Sequence, residues 1–147
     1  MTRMLSPSSV DELAEIVASA GAPFRLQGLG TKATLGNPVA AAQVLSLRHF
    51  AGIEIYEPEE LILEAGAATP MEQIEKALAQ KSQMLAFEPP DYASLLGGPS
   101  GGSLGGVVAA GLSGPRRIRA GAARDHVLGF SGVTGTGERI RAGARVV

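Results

Sequence analysis

The stretch that decides the fold reads GGSLGGVVAAG and spans Gly101–Gly111. Glycine at this density is costly in folding entropy, so it is expected where the backbone must approach another group closely. Leu104, Val107 and Val108 lie between the glycines and favour a packed segment over the alternative, a flexible loop. We therefore predict one short helix from Ser103 to Leu112, whose small residues allow close contact.

Charge is distributed unevenly around this stretch. Residues 1–91 carry 12 acids and 6 bases, a net charge of −6, whereas residues 92–147 carry 2 acids and 7 bases, a net charge of +5. The second part also holds 14 of the 20 glycines. Accessible backbone amides in cationic surroundings favour anions, so this part predicts a phosphate-bearing ligand. Flexible loops with solvated arginines are the alternative.

Composition excludes several classes of protein. A chain of 147 residues with 45% hydrophobic residues fits one folded domain and not a disordered segment. The absence of cysteine excludes disulfides and thiolate chemistry, and two histidines are too few for a histidine-rich metal site. No apolar run reaches the roughly 18 residues of a membrane span. We expect a cytoplasmic protein that binds no metal and no nucleic acid.

A glycine-rich turn also lies earlier in the chain. Predicted strands from Pro23 to Gln27 and from Gln43 to Leu47 flank it, and its residues are Gly28, Leu29, Gly30, Thr31 and Lys32. Consecutive amides, a hydroxyl and a cation suit a pyrophosphate. The spacing matches neither a P-loop nor a Rossmann fingerprint, and a plain tight turn is the alternative.

The remaining pattern predicts an α+β fold. A capped helix from Ser9 to Ala20 accompanies a small sheet, with Gly21 just past the helix end. A larger sheet carries a second helix from Pro70 to Gln80, which opens with a capping box at 69–72. We expect hairpins at 53–64 and 126–143 and an extended loop at 85–101.

A third cluster reads GAARDHV and spans Gly121–Val127. Asp125 is one of two acids in the basic part of the chain. It is either a ligand-site residue or an ion-pair partner of Arg124 or a neighbouring arginine.

The three clusters, in this order, resemble flavoproteins of the vanillyl-alcohol oxidase type, which carry a PCMH-type FAD-binding domain. Four segments are similar to the FAD-binding subunits of bacterial glycolate oxidases: YEPEEL at 56–61, QMLAFEPP at 83–90, GGVVAAGLSGPRR at 105–117 and RDHVLG at 124–129. The third of these is the most specific.

The resemblance implies FAD as the cofactor and assigns residues to it. The implied cofactor-binding residues are Gly28, Leu29, Gly30, Thr31, Lys32, Pro90, Gly102, Ser103, Leu104, Gly105, Gly106, Asp125 and Val127, with the last two on a strand bordering the flavin. No histidine lies in the turn at 28–32, so binding is expected to be non-covalent. Val107 stands where many relatives have Asn, so one polar contact to FAD is expected to be missing. The sequence offers no catalytic acid–base pair.

The implied function is that of an FAD-dependent oxidoreductase subunit acting on glycolate or another 2-hydroxy acid. A second flavin subunit and an iron–sulfur subunit are the implied partners, and they could hold the protein at the inner membrane. The alternative is a truncated or degenerate flavin-type fold that binds no cofactor and acts in subunit assembly.

The resemblance also suggests an incomplete PCMH-type domain over residues 1–147, with subdomains at about 1–57 and 58–147. Relatives continue further, so the isolated chain is expected to fold, bind FAD poorly, lack activity, and dimerise through a strand edge near 138–147. Bulky replacements at Gly30 or Gly105 are expected to weaken flavin binding far more than folding.

Overall fold

The computed structural model describes residues 3–96 and 101–144, and within these ranges it contains seven strands and six helices. Their order is β1 (Arg3–Leu5), α1 (Val10–Ala18), β2 (Phe24–Gln27), β3 (Gln43–Ser46), β4 (Ile53–Glu57), β5 (Ile62–Ala65), α2 (Met71–Ala79), α3 (Ala93–Leu96), α4 (Leu104–Ala109), α5 (Arg117–Ala120), α6 (Ala123–His126), β6 (Gly129–Val133) and β7 (Arg139–Gly143). The predicted α+β class is confirmed.

The first three strands form a parallel sheet in the order β1-β3-β2. The central strand, β3, has a neighbour on each side, and its Val44 and Leu45 are only 3% and 1% exposed. Phe24 pairs with Gln43 in the β2–β3 register. Since parallel strands end at the same edge, the turn that follows β2 begins at the carboxyl edge of this sheet.

Helix α1 confirms the first predicted helix, although it is shorter. Ser9 is the N-cap, and its side chain accepts a hydrogen bond from the Glu12 N–H at 3.1 Å. The helix ends at Ala18, before the expected Gly21 boundary, and the Ser19 hydroxyl donates to the Glu15 carbonyl at 2.7 Å. This bond satisfies a terminal carbonyl without a glycine cap.

The main hydrophobic core lies around α2. Ile74 is fully buried and Leu78 is 6% exposed, so both lie on the inward face of this helix. They pack with Met71, Phe87, Val107 and Ala123, and the β4–β5 hairpin covers one side of the cluster. The predicted hairpin is confirmed, with β4 and β5 antiparallel. Helix α4 and the residues before α3 are therefore anchored to α2.

The predicted capping box at the start of α2 is wrong. Pro70 is the N-cap and makes no side-chain capping bond. The Thr69 hydroxyl donates to the Gly52 and Gly66 carbonyls and accepts the Gly52 N–H at 2.8 Å. Because the hydroxyl is fully buried among these groups, it joins the β4–β5 hairpin to the helix entrance and cannot cap the helix.

Short helices replace part of the predicted loop. Residues 85–101 contain α3, while 97–100 lie outside the described residues. The helix predicted from Ser103 to Leu112 is confirmed as α4, with Ser103 as its N-cap. Helices α5 and α6 were not predicted, because four residues are too few to show a helical period.

The last hairpin, β6–β7, is antiparallel and confirms the predicted pairing of this region. It is separate from β4–β5 in the described ranges, so the predicted larger second sheet is wrong. Instead the hairpin lies against α1, where Arg139 forms an ion pair with Asp11. Part of the predicted free edge, residues 145–147, lies outside the description. The proposed subdomain boundary at 57/58 stays a prediction; it falls in the β4–β5 turn.

Candidate functional site

The first glycine turn, which we define as Gly28–Lys32, begins where β2 ends. The Leu47 N–H donates to the Gln27 carbonyl at 2.8 Å, and this is the last backbone hydrogen bond between the two strands. Beyond it, none of the amides of Leu29, Gly30, Thr31 and Lys32 donates a hydrogen bond to an acceptor in the described ranges. Four consecutive donors are thus left for solvent or a ligand.

The second glycine turn, which we define as Gly101–Ser103, precedes α4. Gly102 has a φ of 133°, a conformation that side-chain-bearing residues rarely adopt. Its carbonyl accepts the Met71 N–H at 2.9 Å, which fixes the turn to the start of α2. The amides of Gly102 and Ser103 have no acceptor among the described residues. They are two further free donors.

The two turns meet face to face. A β-carbon placed on Gly28 would lie 2.6 Å from the Ser103 Oγ atom. One placed on Gly102 would lie 2.6 Å from Lys32 Nζ and 3.3 Å from Thr31 Oγ1. All three distances are shorter than nearly all contacts that real β-carbons make, so a side chain at either glycine would force the facing groups to move. The structure thus brings together two turns separated by some seventy residues of sequence.

The N-terminal amides of α4 are already used within the chain. Leu104 donates to the Thr69 carbonyl at 3.0 Å and Gly105 to the Ala67 carbonyl at 2.7 Å. The Gly106 N–H donates to Ser103 Oγ at 3.3 Å. Since a donor bound in this way is not free for a ligand, the anion-binding amides belong to the turns and not to the helix.

Lys32 supplies positive charge between the turns. It is half-buried, and this burial lowers the pKa of its ammonium group below the ordinary lysine value, although the Asp91 carboxylate partly opposes the shift. The ion pairs of residues 3–96 and 101–144 join Arg116 to Glu88, Arg124 to Asp125 and Arg139 to Asp11, and do not include Lys32. A desolvated cation without a bound partner is suited to an anionic ligand.

A pocket of about 200 Å³ adjoins the second glycine turn. Its lining includes Pro90, Asp91 and Gly101, together with Met71 and Val107 of the core. Pro90 therefore lies beside the turn, and its role in cofactor binding stays a prediction. The free amides and the Lys32 ammonium group fit the pyrophosphate of a dinucleotide, and the proline side of this pocket fits an apolar part of its body.

Other residues implicated by sequence lie in different surroundings. Gly105 faces away from the first turn: a β-carbon there would lie 2.8 Å from Ala67 Cβ and 2.9 Å from the Ala67 carbonyl oxygen. Leu104 packs partly buried against the core. Gly106 does face the site, with its β-position 3.2 Å from Ser103 Oγ and 3.8 Å from Lys32 Nζ. Gly105 is therefore needed for packing α4 on the 66–68 segment.

The strand predicted at Asp125 and Val127 is wrong, because Asp125 lies in α6 and Val127 is its C-cap. The Asp125 carboxylate accepts the Ala122 N–H at 2.7 Å and lies 3.6 Å from Arg124. A carboxylate that accepts the N-cap amide in the first turn favours a helix at this point over a strand. The carboxylate acts locally, and its contact with a ligand stays a prediction.

Asp91 was not predicted from the sequence, and its carboxylate accepts the Gly101 N–H at 3.0 Å. An acid directly after Pro89-Pro90 and ahead of a glycine turn was the available signal. In the described residues we find no cluster of three potential metal ligands and no helix long and apolar enough to cross a membrane.

Comparisons with a family model and with a curated relative identify the same family for this chain. A family model described as FAD binding domain matches residues 2–143. The chain is 43% identical over 125 residues to the glycolate oxidase subunit GlcE of Escherichia coli (strain K12), an alignment that covers 85% of this chain and 34% of that protein. The chain thus spans about a third of the length of this curated relative.

Solved structures share the fold. A berberine bridge enzyme variant gives a TM-score of 0.69 at 16% identity, covering 94% of this chain and 27% of that one. Phl p 4.0202, a glucose dehydrogenase, gives 0.73 at 16% identity, with 95% and 28% covered. A 6-hydroxy-D-nicotine oxidase from Arthrobacter nicotinovorans gives 0.67 at 20% identity, with 97% and 31% covered. At these identities the likeness establishes the fold alone.

Proposed function

The chain belongs to the FAD binding domain family, and from this premise we propose that its two facing glycine turns hold the pyrophosphate of FAD without a covalent bond. The observation that carries the proposal is the position of Lys32, whose Nζ atom lies 2.6 Å from the β-position of Gly102. The residues with free amides belong to the two turns that meet at this ammonium group. Opposite charge and convergent donors are the chemistry that a pyrophosphate requires.

Each turn has a distinct part in this proposal. The amides from Leu29 to Lys32 donate to one phosphate group, and the Thr31 hydroxyl adds a further donor. The Gly102 and Ser103 amides approach from the opposite side. Pro89 and Pro90, which line the pocket beside Gly101, cover an apolar portion of the ligand. The glycines act by allowing close approach, since any side chain would fill the space between the turns.

When bound, FAD supplies the redox chemistry, since a flavin accepts electrons from a reduced substrate and passes them to an acceptor. The residues of this chain bind the cofactor and fix its orientation. Lys32 neutralises phosphate charge, and the half-buried setting of its ammonium group strengthens that interaction compared with one in open water.

We further propose that the protein acts as the FAD-binding subunit of a cytoplasmic, multi-subunit oxidoreductase that oxidises glycolate or a related 2-hydroxy acid. The support is the 43% identity to a glycolate oxidase subunit over 125 residues. A second flavin subunit and an iron–sulfur subunit are the proposed partners.

Titration of FAD into the purified chain, followed by quenching of flavin fluorescence, tests the binding proposal. Lys32→Gln should weaken binding about tenfold, since a charge-assisted hydrogen bond is lost. Lys81→Gln is the matched control: it removes an exposed lysine that lies by the β4–β5 turn. Equal affinity in Lys32→Gln and the wild type would contradict the proposed phosphate site, and no binding by the wild type would contradict FAD binding by this chain.

A further inference from the structure

Asp91 ties together two parts of the chain beside the proposed phosphate site. One carboxylate oxygen accepts the Ala93 N–H at 2.9 Å, which is a local turn of two residues. The other accepts the Gly101 N–H at 3.0 Å, ten residues further along the chain. The local turn does not need the second hydrogen bond, so a local capping role accounts for the bond to Ala93 but not for the bond to Gly101.

The Gly101–Ser103 turn needs to be held in place. Gly101 and Gly102 have φ angles of 90° and 133°, and glycine loses more backbone freedom on folding than any other residue. Met71 fixes the Gly102 carbonyl on one side, through its N–H at 2.9 Å. Asp91 fixes the Gly101 amide on the other side. The two anchors determine where the free amides of Gly102 and Ser103 point.

Resting on the proposed function, we propose that Asp91 is a positioning residue for FAD binding. By holding Gly101, its carboxylate aims the Gly102 and Ser103 amides at the phosphate groups. Asp91 does not itself contact the phosphate, because two negative groups repel each other. Its effect passes through the backbone of the second glycine turn.

The charge of Asp91 and its positioning of Gly101 predict opposite effects on anion binding when the carboxylate is neutralised. The amides of Gly101 and Ala93 lower the pKa of the Asp91 carboxyl group, as does nearby Lys32, so the group is ionised at neutral pH. Glu72 and Glu75 line the same pocket and add negative charge. Through charge alone, neutralising any of these acids would strengthen the binding of an anion. Through position, neutralising Asp91 would weaken it.

The variant Asp91→Asn separates these effects, with Glu72→Gln as the matched control. Asparagine keeps one acceptor oxygen and replaces the other with a donor, so it cannot accept both amides. We expect Asp91→Asn to weaken FAD and ADP binding about tenfold, because one charge-assisted hydrogen bond is lost. Riboflavin, which carries no phosphate, should bind as in the wild type. Glu72→Gln should bind FAD more tightly than the wild type, because it removes negative charge from the pocket and leaves the Gly101–Ser103 turn in place.

Asp91→Ser provides a second test, since a short hydroxyl can keep the local turn to Ala93 but cannot reach Gly101. It should match Asp91→Asn in ADP affinity. Tighter or unchanged ADP binding in both Asp91 variants would overturn the inference, while a weakened Lys32→Gln variant would leave the proposed function intact. Equal losses for FAD and riboflavin, with a lowered unfolding midpoint, would also overturn it in favour of a purely structural role. If the wild type bound neither FAD nor ADP, both proposals would fall.

Discussion

Gly28 and Ser103 lie in direct contact across the two glycine turns, so closely that a β-carbon on Gly28 would lie 2.6 Å from Ser103 Oγ. Ser103 is 4% exposed and also accepts the Gly106 N–H, so its side chain has little room to move away. This pair sets the spacing between the turns. Any group that separates them also separates the donors that border the proposed phosphate site.

Gly28→Ala should therefore push the turns apart. Overpacking of this kind costs about 1–3 kcal/mol of the free energy of unfolding, and FAD affinity should fall as well. The double variant Gly28→Ala/Ser103→Gly removes the colliding hydroxymethyl group. Its stability, measured by urea unfolding, should exceed the value expected if the two single changes were additive. If the changes in the free energy of unfolding were strictly additive, movement of groups other than the Ser103 side chain would have to relieve the collision.

Two neighbouring glycines of α4 should respond differently to alanine. A β-carbon at Gly105 would lie 2.9 Å from the Ala67 carbonyl oxygen, and this backbone group cannot rotate away. Gly105→Ala should cost about 1–3 kcal/mol of stability. Gly106→Ala faces Ser103 Oγ at 3.2 Å and Lys32, and it gains up to about 1 kcal/mol of helix propensity.

Chemical denaturation and FAD titration of both variants check this contrast. The free energy of unfolding of Gly106→Ala should be close to the wild-type value or above it. The variant should bind FAD more weakly, because the added methyl group enters the site. The expectation from sequence, that Gly105 matters more for binding than for folding, stays a prediction, and the contact with Ala67 favours the opposite outcome. A Gly105→Ala protein of normal stability and weak FAD binding would confirm it.

Asp125 should behave as a helix-capping residue. Its carboxylate accepts the Ala122 N–H and lies 3.6 Å from Arg124, with more than half of the side chain exposed. Asp125→Ala should cost about 1 kcal/mol of stability through the lost cap, and FAD affinity should stay near the wild-type value. Thermal unfolding and FAD titration measure the two effects. A large loss of affinity at full stability would instead place Asp125 in the flavin site.

Local signals account for what the sequence predicted correctly. Ser9 with Glu12 marks the start of α1, and turn residues mark the β4–β5 and β6–β7 hairpins. The two glycine turns were predicted as phosphate-binding segments from composition, charge and family resemblance. Their contact across the fold could not be predicted from either turn alone, because it depends on how α4 packs against α2.

Elements without local periodicity were missed. Strand β1 has three residues, too few to show alternation, and it forms only because β3 offers it a parallel partner. Thr69 matched a capping pattern, but the Gly52 and Gly66 carbonyls compete for its hydroxyl. Asp91 was not predicted either, because its second hydrogen bond joins residues ten positions apart. Tertiary contacts decided each of these cases.

The charge of Lys32, whose Nζ atom lies against Gly102, should make ADP affinity and folding stability depend on pH. Burial lowers the pKa of this lysine below its ordinary value of 10.5. A bound phosphate favours the protonated form, so ADP affinity should fall with rising pH, starting below pH 10.5.

The free energy of unfolding should respond in the opposite sense. Between the lowered pKa and 10.5 the unfolded chain binds more protons than the folded chain, so the cost of burying the charged Lys32 side chain shrinks as pH rises. ADP titrations and urea unfolding from pH 7 to about 10.5, compared with Lys32→Gln, measure both slopes. ADP avoids titration of the flavin ring itself. Parallel affinity profiles for wild type and variant would show that Lys32 does not carry the phosphate charge.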